Sequence, residues 1–125
     1  MRTDNSTPLF INFSNHPSSN WEEKQFKAAE QYGKIIDLPF PQVNPLLTGE
    51  EIRALAKECV KEILGKGNPA NLTVHVMGEM TLVYHIVTTL LKSGVRCVAS
   101  TTQRFVIETA GKKESEFHFV RFREY

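Results

Sequence analysis

Three times in succession this chain sets a short apolar run ahead of an amphipathic one, and that alternation constrains its fold most tightly. Pro8 to Phe13 (PLFINF) reads as a strand buried on both faces, apolar except at Asn12. The turn formers of Ser14 to Asn20 (SNHPSSN) follow. Asn20 then stands as N-cap for a helix from Trp21 to about Tyr32, with Glu22 and Glu23 in its first turn. Gly33 occupies the place where a left-handed residue often ends a helix. Lys34 to Phe40 (KIIDLPF) is a second strand, cut by Pro39 and Pro41. Thr48 and Glu51 match a capping box, and Ile52, Leu55, Ala56, Cys59, Val60, Ile63 and Leu64 recur behind them on one helical stripe. Leu72 to Met77 (LTVHVM) is a third strand. Gly78-Glu79-Met80-Thr81 leads into a strongly apolar helix ending near Ser93-Gly94, and Val95 to Ala99 is a fourth strand. Arg104 to Ala110 and Phe117 to Arg123 read as a hairpin around Gly111-Lys112-Lys113.

Such alternation implies an α/β fold whose parallel strands are joined by right-handed helical crossovers. The economical strand order is 2-1-3-4, with the hairpin extending or flanking the strand-4 side. Direction reverses between strands 1 and 3, and open sheets of this kind bind ligands beyond the carboxyl ends of the strands at that switch point. A length of 125 residues implies one domain, spanning 8–125 after a polar, loosely held start at Met1 to Thr7.

Charge and composition exclude several functions. Fifteen Lys and Arg stand against fourteen Asp and Glu, a net charge of +1. That balance is wrong for a protein held to duplex DNA by bulk charge. No apolar run approaches the roughly 18 residues of a membrane span, and the start is not signal-like, so a cytoplasmic protein is expected. Two cysteines make neither a disulfide framework nor a four-ligand zinc site. Cys59 falls on an apolar stripe and Cys97 in mid-strand, which reads as core thiols. No pair of histidines has ligand spacing, so no metal is expected, and without a G-x-G-x-x-G run there is no dinucleotide fingerprint.

The switch-point filter selects three segments and Asn12 just inside the first. They are Ser14-Asn15-His16 after strand 1, Gly78-Glu79-Met80-Thr81 after strand 3, and Ser100-Thr101-Thr102-Gln103-Arg104 after strand 4. Together they offer hydroxyls, amides, an imidazole, a guanidinium and a glycine-opened helix start. A helix start with free N–H groups suits an anion, and Arg104 suits phosphate oxygens. This is the inventory of a phosphate or nucleotide pocket. Each part also has a plainer use: Ser14 and Asn15 in turn chemistry, Glu79 against the helix dipole, the hydroxyls in ending a strand. His75, between Val74 and Val76, reads as a packed or interfacial histidine; His85 lies on an outer helix face and His118 in the hairpin.

The segments FINFSNHPSSNW, HVMGEMTLVYHIV and STTQR, with the closing FVRFREY, resemble small CRISPR-associated proteins of the Csx type, single-domain relatives of the CRISPR-associated Rossmann-fold family. The resemblance runs from about Phe10 to Tyr125. It implies a Rossmann-like three-layer sandwich and a homodimer that binds cyclic oligoadenylate, in particular cyclic tetra-adenylate. It also implies a ring nuclease without cofactor, which opens the ring through attack of a ribose 2′-OH, leaves a 2′,3′-cyclic phosphate and switches off type III CRISPR signalling. The three selected segments are those that match. On this reading His16 and Arg104 are catalytic, and Asn12, Ser14, Asn15, Gly78, Glu79, Met80, Thr81, Ser100, Thr101, Thr102 and Gln103 bind the ligand. The alternatives are a sensor or sequestering protein that holds the same ligand uncut, and a small α/β protein that binds a phosphorylated metabolite.

Overall fold

In the computed structural model, which describes residues 7–125, β1 (Leu9–Ser14), β2 (Lys34–Pro39), β3 (Leu72–Val76), β4 (Arg96–Thr109) and β5 (Lys112–Glu124) form one sheet. Its order is β2-β1-β3-β4-β5, parallel except for the antiparallel β4–β5 pair. The fold is therefore the expected α/β sandwich with a C-terminal hairpin. Most of the expected loose start, Met1–Thr7, lies outside the described residues.

Three helices cover the two faces. Along β1 the side chains alternate: Ile11 and Phe13 face one core, built with α2 (Gly49–Leu64) and α3 (Met80–Lys92). Phe10 faces another, built with α1 (Glu23–Glu30). The capping box on α2 forms as the sequence indicates: the Glu51 amide donates to the Thr48 hydroxyl, and the Glu51 carboxylate accepts from the Thr48 amide. Cys59 and Cys97 are buried and free, and burial pushes the Cys97 thiol up to about 12.

Three sequence expectations need correction. Asn20 does not cap α1, because Ser18–Asn20 makes its own short 3-10 turn and the helix starts two residues later, with Glu22 in the N-cap position. Trp21, between turn and helix, is extended (φ −76°, ψ 149°), which lays its indole on the sheet. Strand 4 and the first hairpin strand are one continuous β4, so Ser100 to Arg104 lies within a strand rather than in a loop. The hairpin turns at Ala110-Gly111, both with positive φ (51° and 78°), ahead of the expected Gly111-Lys112-Lys113. Positive φ at both central residues is the pattern that matches strand twist in a two-residue hairpin.

The β4–β5 pair carries a bulge that shapes the second core. Ser100 pairs with Phe122 and Thr102 with Phe119, so Val120 is the extra residue. In a regular strand positions 119 and 122 would face opposite sides. The bulge puts both rings on the α1 face, 4.8 Å apart between centroids. The Thr101 hydroxyl clamps the pairing there, accepting from the Arg121 amide (3.2 Å) and donating to its carbonyl (3.0 Å). Phe122 touches Phe10, Trp21, Tyr32 and His75 as well. Phe122→Ala is therefore expected to cost about 3–5 kcal/mol in urea denaturation, whereas Phe117→Ala, at a ring 62% exposed, should cost under about 0.5 kcal/mol.

Candidate functional site

Parallel strands with both faces covered are apolar almost throughout, so the polar residues inside them stand out. Asn12 in β1 and His75 in β3 are register partners, 1% and 2% exposed, on the α1 face near the carboxyl ends of their strands. Ser14, buried, ends β1 on the same face.

Their hydrogen bonds fix every proton. The Asn12 amide nitrogen donates to the His16 carbonyl and to Asp37 Oδ1, each at 2.8 Å. Both partners only accept, so the amide orientation is settled and Oδ1 points the other way. It accepts from the Ser14 hydroxyl at 2.7 Å, and that hydroxyl accepts in turn from the His16 amide at 3.2 Å. His75 Nδ1 lies 2.9 Å from the same Oδ1 and must therefore carry a hydrogen. Asp37 also accepts from the Ser18 amide (3.0 Å) and hydroxyl (2.8 Å). Burial works to raise the Asp37 carboxyl, but the hydrogen bonds from Asn12 and Ser18 outweigh it and hold it below the usual range. The loop that carries His16 is thus tied at both ends to the sheet.

Burial, with a smaller push from the nearby His16, lowers His75 to about 4, so near neutral pH its Nε2 is a bare lone pair. That nitrogen has no partner, and neither does the buried Trp21 Nε1. Both rings line a cleft of about 650 Å³ over the carboxyl ends of β1 and β3 and beside the middle of β4. Asn15, His16 and Asn20 supply its loop side, Trp21, Glu22 and Gln25 its α1 side, and Met77 and Gly78 the end of β3. Ser100, Thr102 and Phe117 close it from the hairpin.

The expected site residues therefore separate. His16, Asn15, Gly78, Ser100 and Thr102 meet in the cleft, with Asn12 and Ser14 beneath them as supports. Glu79 caps α3 by accepting from the Thr81 and Leu82 amides and the Thr81 hydroxyl, which hold its carboxyl below the usual range. The helix start is thus occupied rather than open to an anion. At Gly78 a Cβ would lie 2.5 Å from the Phe40 ring, so that glycine answers to packing. Met80 lines a separate apolar groove with Tyr84 and Tyr125. Thr101 and Gln103 do not line the cleft; Thr101 serves the bulge and Gln103 pairs with His118. Arg104 lies farther out on the exposed hairpin, its Nε donating to the Ser115 hydroxyl at 3.1 Å, and does not line the cleft either. The continuity of β4 is the cause, because it carries Arg104 away from the strand ends.

Asn20, Trp21, Glu22, Gln25, His75, Met77 and Phe117 line the cleft but were not among the expected site residues, and His75 with Trp21 matters most. The available signal was an amide and an imidazole, Asn12 and His75, in two strands whose other polar residues are only the small hydroxyls of Ser14 and Thr73. Among the described residues no group of three His, Cys, Asp or Glu side chains converges for a metal. Nor is any helix there long and apolar enough to cross a membrane.

A family model described as the uncharacterized protein MJ1673 family matches residues 8–123, and the chain belongs to that family. No curated protein and no solved structure matches the chain.

Two histidines should titrate in opposite directions. His75 is held low by burial, so the stability it carries is complete above about pH 6.5 and is lost as pH falls toward 4, amounting to about 3 kcal/mol. His118 is raised, first by hydrogen bonding to Glu116 and then to Glu22. Its contribution is complete below about pH 6.5 and disappears as pH rises through its raised value. Proton NMR titration should place His75 near 4 and His118 above 6.5, and His75→Asn should flatten the acid limb of the stability curve.

Proposed function

We propose that this MJ1673-family protein binds cyclic oligoadenylate in the cleft between the His16 loop, α1 and the hairpin, and opens the ring as a metal-independent ring nuclease. The observation that carries this reading is the position of His16. Its side chain is exposed at the cleft while its backbone is held by Ser14 and Asn12. Hydroxyls and amides of Asn15, Ser100, Thr102 and Gln25 surround the space in front of it, and Trp21 and Phe117 offer aromatic faces to bases.

The chemistry suits these parts. The 2′-oxygen of a ribose bonds to the adjacent phosphorus as the bond from phosphorus to the 5′-oxygen breaks. The 2′-proton passes to a base, and the departing 5′-oxygen takes a proton, giving a 2′,3′-cyclic phosphate and a 5′-hydroxyl. Alignment and hydrogen bonds to the phosphoryl oxygens supply most of the acceleration, with proton transfer by His16 adding about 10²–10⁴-fold. Arg104, on the hairpin, has no part in this chemistry within one chain.

One observation favours a second reading, binding without cleavage. No Lys or Arg lines the cleft, and Glu22 does, so the charge developing on phosphorus meets only uncharged donors. Labelled cyclic tetra-adenylate, incubated with and without chelator, separates the two. Conversion to linear product supports the nuclease, binding without conversion supports a sensor or sequestering protein, and neither supports a different phosphorylated ligand. For the nuclease, His16→Ala should slow single-turnover cleavage by about 10²-fold with little change in affinity, while Arg104→Ala should stay within about threefold of wild type.

A two-fold ring matched by two copies of the cleft requires a homodimer. Met80, Tyr84 and Leu91 on α3 and Phe105, Val106 and Ile107 on the hairpin leave large apolar groups exposed, as a protein interface does. Light scattering at tens of micromolar should give the dimer mass, and a monomer with and without ligand would remove the two-copy arrangement.

A further inference from the structure

The two unpartnered ring nitrogens in the cleft wall have complementary needs. Trp21 Nε1 can only donate a hydrogen bond. His75 Nε2 can only accept one, because Asn12 Oδ1 holds the imidazole hydrogen on Nδ1 and burial keeps the ring neutral. The two rings are 5.9 Å apart between centroids, with planes at 81°. Their other neighbours, Phe10 and Phe122, are apolar and satisfy neither nitrogen. Buried polar atoms left unpaired destabilise a fold, so a pair of opposite kind on rings this close can be served by one partner that both accepts and donates.

The chemistry of that partner is narrow. A carbonyl or phosphoryl oxygen accepts only and would serve Trp21 alone. An ammonium donates only and would serve His75 alone. A hydroxyl does both through one small atom, as water does, and a ligand hydroxyl can take the place of such a water with both bonds kept. We infer that Trp21 and His75 are a hydroxyl-reading pair and, resting on the nucleotide reading of the cleft, that the hydroxyl is a ribose 2′-OH. That group separates RNA-like from DNA-like ligands. A site built to bond a hydroxyl also rejects the analogue without it, since the buried groups then stay unpaired. Both nitrogens are shielded from solvent, so the hydroxyl enters with a small turn of the indole. Trp21 sits in the extended link between Asn20 and α1, outside the constraint of a helix.

Filter binding at short times with labelled cyclic tetra-adenylate and its 2′-deoxy counterpart tests the pair in the full chain. His75→Asn keeps a donor toward Asn12 and removes the Nε2 acceptor; Trp21→Phe keeps the aromatic face and removes the N–H. The wild type should bind the ribose ring at least about tenfold tighter, and each folded variant should narrow that preference to below about threefold. The chain has a single tryptophan, so its one indole N–H resonance should move with the ribose ring and not with the deoxy ring. Equal affinity for both rings with an unmoved indole resonance overturns the pair and leaves the nucleotide reading standing. A preference that survives in a folded variant also overturns it, placing hydroxyl recognition elsewhere. Binding of neither ring overturns the nucleotide reading, and the pair with it.

Discussion

One side-chain amide, that of Asn12, organises the carboxyl end of the sheet. It is the point at which the central strand β1, its neighbour β3, the end of β2 and the His16 loop meet through hydrogen bonds. Its two donors and its acceptor are all used, as a buried amide requires. Because its partners are unambiguous, the orientation of one amide dictates the tautomer of His75 and the direction of the Ser14 hydroxyl. A buried amide with every donor and acceptor paired is held rigidly, and in a low-dielectric interior each bond strengthens the next. The loop beside the cleft inherits that rigidity, although His16 itself is exposed.

The second constraint comes from the far edge of the sheet. Without the bulge at Val120, Phe119 and Phe122 could not both reach the α1 face, and the aromatic cluster that packs His75 and Trp21 would lose one ring. The same stretch of β5 is fastened to the start of α1, where Glu22 accepts from the Phe119 amide and lies 3.3 Å from His118 Nδ1. Hairpin, α1 and cleft therefore form one mechanical unit. A shift of β5 against β4 would displace Trp21 and Phe122 together.

Much of this fold was legible because the periodicities were clean: apolar runs for β1 and β3, the stripe and capping box for α2, the glycine after α3. The strand order followed from the alternation itself. What escaped the sequence were features set by partners distant in the chain. Asn20 looks like an N-cap locally, but Pro17 and the tie from Ser18 to Asp37 draw its segment into a separate turn. The hydroxyl-rich run Ser100 to Arg104 looks like a loop, yet pairing with β5 extends it as strand. Its alternation then sends Ser100 and Thr102 to the cleft and Thr101 to the bulge. His75 read as a packed histidine, and it is packed. That its ring also lines the cleft depended on the register between β1 and β3, which no local pattern encodes.

The electrostatics of the cleft follow from how the helix starts are used. In open α/β sheets an anion is commonly held by free N–H groups at a helix N-terminus. Here Glu79 takes those groups on α3, and Glu22 with Glu23 puts carboxylates at the start of α1. The Phe40 ring fills the space that Gly78 leaves open. A ligand in this cleft therefore meets amides, hydroxyls, imidazoles, aromatic faces and the Glu22 carboxylate, with no cationic side chain from the same chain. Uncharged donors and acceptors discriminate by geometry and by the number of groups left unpaired, whereas fixed charges attract any anion within a Debye length. Selectivity in a cleft lined this way would rest on geometry and pairing rather than on attraction to anionic charge. Arg104, the guanidinium that the sequence places beside the strand ends, stands on the exposed hairpin and does not reach the cleft of its own chain, so within one chain a phosphate there would meet uncharged donors only.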